Sequence, residues 1–222
     1  MRIPRHHPWN QTPAEAVRLQ KELARRVILA PPNPSMRFIA GADIAVDPER
    51  GIGWAGVIVY ELPNLVEVER HHARGKIRFP YVSGLLAFRE IPLLLKAFAK
   101  LKTVPDCILV DGQGIAHPRR FGMASHLGVI LNIPTIGCAK SWLIGTFDEP
   151  GPLRAEYSLL RAGNDVVGAV VRTRNRVKPV FVSPGHKVDI GHSVDVVVAC
   201  CDGYRIPKPT READRYVKKL AS

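Results

Sequence analysis

Residues 107–138 read CILVDGQGIAHPRRFGMASHLGVILNIPTIGC, and the fold turns on how this stretch is parsed. Cys107–Asp111 is a short apolar run, fit for a buried strand. Arg119–Asn132 reads as a helix, and Pro134–Cys138 is a second buried-strand run. Strand, helix and strand in succession imply two parallel strands with the helix as their crossover.

Upstream, Gly84–Leu101 is helical, with Pro92 expected to kink or restart it. Before that helix lie three β-like segments, Phe38–Val46, Gly53–Leu62 and Val66–Phe79, joined by turns short enough for an antiparallel meander. Thr12-Pro13-Ala14-Glu15 has the form of a capping box with Pro at the first helical position. Ala16, Leu19, Leu23 and Val27 follow at helical spacing, so a helix is expected at about 12–29, ended by Pro31, Pro32 and Pro34. Downstream, Glu156–Arg161, Val166–Arg174 and Pro179–Val182 read as further strands. Ile190–Cys201 and Thr210–Ala221 read as closing helices, the last at about 209–221. There is no internal repeat. The expectation is one α/β domain over residues 1–222, a mixed sheet (antiparallel meander followed by parallel strands) flanked by helices.

The 222 residues are 46% hydrophobic and 23% charged, a globular balance. Lys and Arg number 32 against 20 Asp and Glu, a formal net charge of +12. Such a surplus favours a polyanionic partner, nucleic acid ahead of anionic membrane. The four cysteines (Cys107, Cys138, Cys200 and Cys201) form no CxxC pair and have no histidine at zinc-finger spacing, so free thiols in the reducing cytoplasm are expected. No apolar signal segment opens the chain, and apolar runs such as Val194–Cys201 are too short to span a bilayer.

Four carboxylates stand out. Strand alternation puts Asp43 on one face with the small residues Gly41 and Ala45, which leaves room above it. It is either a site residue or an edge-strand Asp facing water. Asp111 ends an apolar run and precedes Gly112-Gln113-Gly114, at the strand end where open α/β sheets bind ligands, or it simply starts a turn. Glu90 shares a helix face with Leu86, Leu93 and Ala97, where a carboxylate needs a partner, a metal or a proton. Asp214 lies on the last helix and alone reads as a surface Asp paired with Arg211 or Lys218. Oxygen donors without thiolates suit Mg²⁺ or Mn²⁺. With a basic surface, that chemistry points to phosphodiester hydrolysis. Lys140, just past a strand, is placed to hold a phosphate or is an ordinary surface lysine.

Several runs together resemble the endonuclease V family: residues 79–90 (FPYVSGLLAFRE), 111–114 (DGQG), 116–119 (AHPR), 124–126 (ASH), 136–137 with 139–141, 182–186 (VSPGH) and 207–211. The resemblance covers the chain from about Trp9 to the last helix. It implies a ribonuclease H-like fold and a Mg²⁺-dependent endonuclease (deoxyribonuclease V), with Mn²⁺ able to substitute. Such an enzyme acts on DNA containing deoxyinosine and cuts the second phosphodiester bond 3′ to the lesion, leaving 3′-hydroxyl and 5′-phosphate ends. It further implies Asp43 and Asp111 as metal ligands, with Glu90, Lys140 and Asp214 completing the catalytic set, although many relatives carry His at the last position. Pro80, Tyr81, Val82 and Ser83 match the family's strand-separating wedge, Ser83 standing where many relatives have a second Pro. Gly84 and Gly122 match glycines near the pocket for the flipped base. His117, near Asp111, is placed for phosphate or for capping the following helix, and His126 reads as structural. Arg172, Arg174, Arg176 and Lys178 either track a phosphate backbone or decorate a hairpin tip.

A monomer acting on nucleic acid is expected. The alternatives are an inosine-specific ribonuclease, a junction or flap nuclease on the same fold, and a non-catalytic nucleic-acid-binding module.

Overall fold

The structure is a computed structural model describing residues 1–222 apart from Arg5 and Pro34. Pro34, expected to help end the first helix, therefore lies outside the described residues. The meander forms as read: β1 (Phe38–Asp47), β2 (Ile52–Glu61) and β3 (Val66–Lys76) pair antiparallel. Then β4 (Cys107–Val110) runs parallel to β1, and β5 (Thr135–Ala139) parallel to β4, with α3 (Met123–Leu131) as crossover. Three more strands, β6 (Tyr157–Ala162), β7 (Asp165–Val171) and β8 (Val180–His186), add an antiparallel wing through a β5–β8 pairing. The tight turn between Ala162 and Asp165, with Gly163 at φ +66, makes β6 and β7 antiparallel. A two-residue loop can only join antiparallel strands. The eight-stranded order is β3-β2-β1-β4-β5-β8-β7-β6.

α1 (Pro13–Ala24) begins with the expected capping box, in which Thr12 and Glu15 bond reciprocally, but it stops well short of residue 29. Its last turn tightens through Arg26 N–H to Leu23 O (2.9 Å) and Val27 N–H to Ala24 O (3.2 Å). The chain then leaves to bond β8, where Ile28 O accepts from Lys187 N–H at 2.7 Å. α2 (Leu86–Phe98) runs unbroken through Pro92, correcting the expected restart. One missing N–H deprives only the Phe88 carbonyl of its helical partner.

The sheet is buried on both sides, and β1 divides its residues by alternation. Ala40 and Ala42 pack with α2 and α3, whereas Ile39 joins a second core with α4 (Ile190–Ala199). α5 (Lys208–Ala221) lies across β1 and β2, with Thr210, Ala213 and Val217 buried beneath it. Glycine makes that approach possible. A Cβ at Gly41 would overlap the Pro209 carbonyl, and one at Gly56 would meet Val217 Cγ1 at 2.7 Å. The room left above Asp43 is therefore the groove that seats α5. Among the described residues no helix is long and apolar enough to cross a membrane.

Candidate active site

Strand register assembles the acidic residues. Ala42 pairs with Val110, so Asp43 and Asp111 come level one step later, on adjacent parallel strands. Val110 pairs with Gly137, which sets Lys140 just beyond the end of β5 on the same rim. There Lys140 Nζ is ion-paired with Asp111 Oδ2. α5 brings Asp214 to Asp43, while Asp214 Oδ2 also accepts from Lys218 Nζ at 2.8 Å. Glu90, on α2, lies in the same cleft as Asp111 and Lys140.

These groups repel and bury one another. Burial raises the Asp43 carboxyl to about 7; Asp111 and Asp214 add to the rise, and the Ile44 N–H (2.8 Å) and Lys140 oppose it. Glu90 is pushed up to about 8 by burial and by Asp43 and Asp111. Burial would raise Asp214 as well, but the Lys218 hydrogen bond, the Lys140 charge and a hydrogen bond with Asp43 hold it below the usual range. Lys140 is raised, its desolvation outweighed by Asp111. Two of these carboxyls thus hold protons near neutral pH, because burial and mutual repulsion outweigh Lys140 and Arg89. Among the described residues no three His, Cys, Asp or Glu side chains share a common ligating sphere. The arrangement is a set of hard oxygen donors with Lys140 on one of them, which a small divalent cation would draw together.

The cleft has a volume of about 420 Å³. Tyr81, Ser83, Gly84, His117 and Gly122, all read from the sequence, line it. Tyr81 is 73% exposed, so it is no core aromatic. β3 ends at Lys76, before the wedge, and the ring is carried by a turn anchored on either side. Phe79 is buried against Phe88 (5.6 Å between centroids), and Val82 O accepts from Leu85 N–H at 2.9 Å. Pro80 is exposed and Val82 half-buried.

Gly84 has φ +75, and its carbonyl accepts from Gln20 Nε2 (3.0 Å), His117 Nε2 (3.0 Å) and Arg119 Nη2 (2.8 Å). His117 Nδ1 in turn accepts from the Arg119 N–H at 3.2 Å, which fixes the Nε2–H tautomer. Burial and Arg119 lower His117 to about 4, so it meets the cleft as a neutral ring. Gly122 caps α3; its own N–H donates to the Gly114 carbonyl at 2.9 Å, and the Ala124 N–H donates to the Gln113 carbonyl at 3.0 Å.

Glu90, Asp111, Lys140, Tyr81, Ser83, Gly84, His117 and Gly122, all proposed from the sequence, line this cleft; Pro80 and Val82 flank Tyr81 outside its lining, and Asp43 and Asp214 meet where α5 reaches β1. Sequence reading missed Gln20, whose signal was a polar residue on the buried face of α1, the role of Arg119, quoted only as part of the 116–119 run, and Trp142 and Leu143, which had no signal. His126 is fully buried, with its Nε2 2.8 Å from His7 Nε2 among aromatic rings, as a structural residue would be. Arg172 is not a phosphate tracker: it is buried, bonding Gly151, Pro150 and Val177 carbonyls and Glu149. Arg174, Arg176 and Lys178 sit exposed at the turn beyond it.

The sequence model of the endonuclease V family matches residues 21–215. An endonuclease V of Dehalococcoides mccartyi is 47% identical over 96% of this chain and 96% of its own. The crystal structure of endonuclease V from Streptomyces avermitilis superposes with TM-score 0.92 at 43% identity, covering 100% of this chain and 98% of that one. That of the Ciona intestinalis enzyme, in complex with DNA containing an inosine followed by a ribo-adenosine, gives TM-score 0.82 at 28% identity over 94% and 97%. The chain belongs to the endonuclease V family of deoxyinosine-specific DNA repair endonucleases.

Proposed function

We propose that the chain binds deoxyinosine-containing DNA in the cleft beside Tyr81 and hydrolyses the second phosphodiester bond 3′ to the lesion, with Mg²⁺ held by Asp43 and Asp111. One observation carries this reading: Asp43, Glu90, Asp111 and Asp214 are electrostatically linked around Lys140, at the edge of a cleft whose rim presents an exposed tyrosine. Bound there, Mg²⁺ (or Mn²⁺) would lower the proton affinity of a water and neutralise charge on the scissile phosphate. Asp43 and Glu90 must first give up their protons. Glu90 and Asp214 then orient water by accepting hydrogen bonds, and Lys140 turns from Asp111 to a phosphate oxygen as a point charge. Tyr81 fills the gap in the stack left by the displaced base. Gly84, Gly122, neutral His117 and the wedge residues Pro80, Val82 and Ser83 shape the pocket that reads it.

Four free, buried thiols accord with a reducing cytoplasm. Action as a monomer is part of the same reading. The deciding test is an end-labelled duplex with one hypoxanthine, with and without Mg²⁺. Product should map to the second 3′ phosphodiester bond and need metal. Cutting elsewhere, or equal cutting of an unmodified duplex, would sink the proposal. The Ciona relative's DNA carried a ribonucleotide next to inosine, so a parallel arm should place a ribonucleotide there. A much faster arm would favour RNA as substrate.

A further inference from the structure

A second cavity, of about 390 Å³, opens between α2, the end of the edge strand β3 and Trp9. Its lining carries four cations, Lys76, Arg78, Arg89 and Lys96, and no carboxylate. None of the four is ion-paired among the described residues. Arg89 Nη1 reaches only the Phe79 carbonyl, at 3.4 Å. Four like charges around one concave surface repel each other and concentrate a positive field there, so the cavity suits an anion. Trp9, half-buried, adds aromatic surface. Cations beside aromatic rings are what a single nucleic-acid strand requires, phosphates on the first and bases on the second.

This is not a lobe of the catalytic cleft. The two cavities share no lining residue. On α2, Ala87 and Glu90 turn to the catalytic cleft, while Arg89, Pro92 and Lys96 turn to the basic one. The segment between them carries Tyr81. A duplex parted on that ring has one strand on each side of the partition. We propose that the basic cavity is a second nucleic-acid site, which holds the backbone of the strand opposite the lesion once the duplex is open.

The proposal rests on the inosine-endonuclease reading, and its test separates the two. Wild type and the double variant Lys76→Ala/Lys96→Ala are compared for kcat/KM on an inosine-containing duplex and on the same inosine strand alone, across a range of salt. Both lysines are exposed, and retained single-strand cutting reports an intact fold and active site. On duplex the variant should lose about ten-fold at moderate salt, and its log–log salt dependence should flatten by about 0.9 for each phosphate that the lysines no longer neutralise. On the single strand it should match wild type, and Lys76→Arg/Lys96→Arg should restore duplex cutting. Equal loss on both substrates would put the lesion strand in the cavity and overturn the proposal. No loss on either would also overturn it. A wild type that cuts neither substrate would instead defeat the underlying functional reading, whatever the variants do.

Discussion

Lys140 Nζ is ion-paired with Asp111 Oδ2 across the ends of β4 and β5, two adjacent parallel strands. The pair holds a cation between the strand-end carboxylates, where the proposed metal and phosphate would sit. Lys140→Ala should leave the melting temperature nearly unchanged, because a partly exposed ion pair contributes about 0–1 kcal/mol. It should lower the single-turnover cutting rate by about 10²–10³-fold, the usual loss when one stabiliser of developing charge is removed. Binding of inosine DNA should persist. A variant that cuts at the wild-type rate would remove Lys140 from the chemistry.

Metal dependence should vary with pH. Asp43 (about 7) and Glu90 (about 8) hold protons that a divalent cation must displace. The Mg²⁺ concentration for half-maximal cutting should therefore rise steeply below pH 7, by up to about ten-fold per pH unit for each proton released. It should level off above pH 8. Magnesium titrations at pH 6, 7 and 8 check this, and a constant requirement would contradict it.

The same shifts have a stability consequence of opposite sense from that of a salt-bridged Asp. A carboxyl raised in the folded state binds more protons there than in the unfolded chain, so stability falls as pH climbs from about 4 to about 8 and stays low above. Asp43→Asn removes the charge while keeping the shape. Without metal it should melt higher than wild type at pH 8.5, by a few degrees (about 2–4 °C per kcal/mol for a chain of this size), and show little gain at pH 4.5.

Gly41→Ala puts a methyl group against the Pro209 carbonyl and should push α5 off β1. A cost of about 1–3 kcal/mol is expected for such overpacking. Because α5 carries Asp214 to Asp43, activity in the still-folded fraction should fall as well. Calorimetry and cutting rates on the same sample separate the two losses.

Tyr81→Ala should leave stability unchanged, since the ring is exposed. Loss of a stacking aromatic costs about 1–3 kcal/mol. Duplex cutting should drop accordingly, by about ten- to a hundred-fold, while inosine in a single strand, which needs no opening, should be affected less.

Much of this was legible because it is local. The period-2 pattern of residues 38–46 set Asp43 apart from Ala42 and Ile44, and the strand–helix–strand run from Cys107 foretold the parallel β4–β5 pair that carries Asp111 and Lys140 to one rim. Two things were not legible. The bonds that clamp Gly84 come from Gln20 and Arg119, 64 and 35 residues away, and no local period records such pairings. Gly41, with Ala45, read as room above Asp43, whereas the room at Gly41 belongs to α5. The direction of β6 against β7 depended on the loop at Gly163, which the strand pattern alone does not orient.

The seating of α5 bears on the order of assembly. In order of translation it follows every other element described, and it brings in Asp214 and covers the groove over Asp43. Until α5 docks, the acidic cluster lacks Asp214. The glycine seam thus ties the assembly of the acidic cluster to a single helix-on-sheet contact.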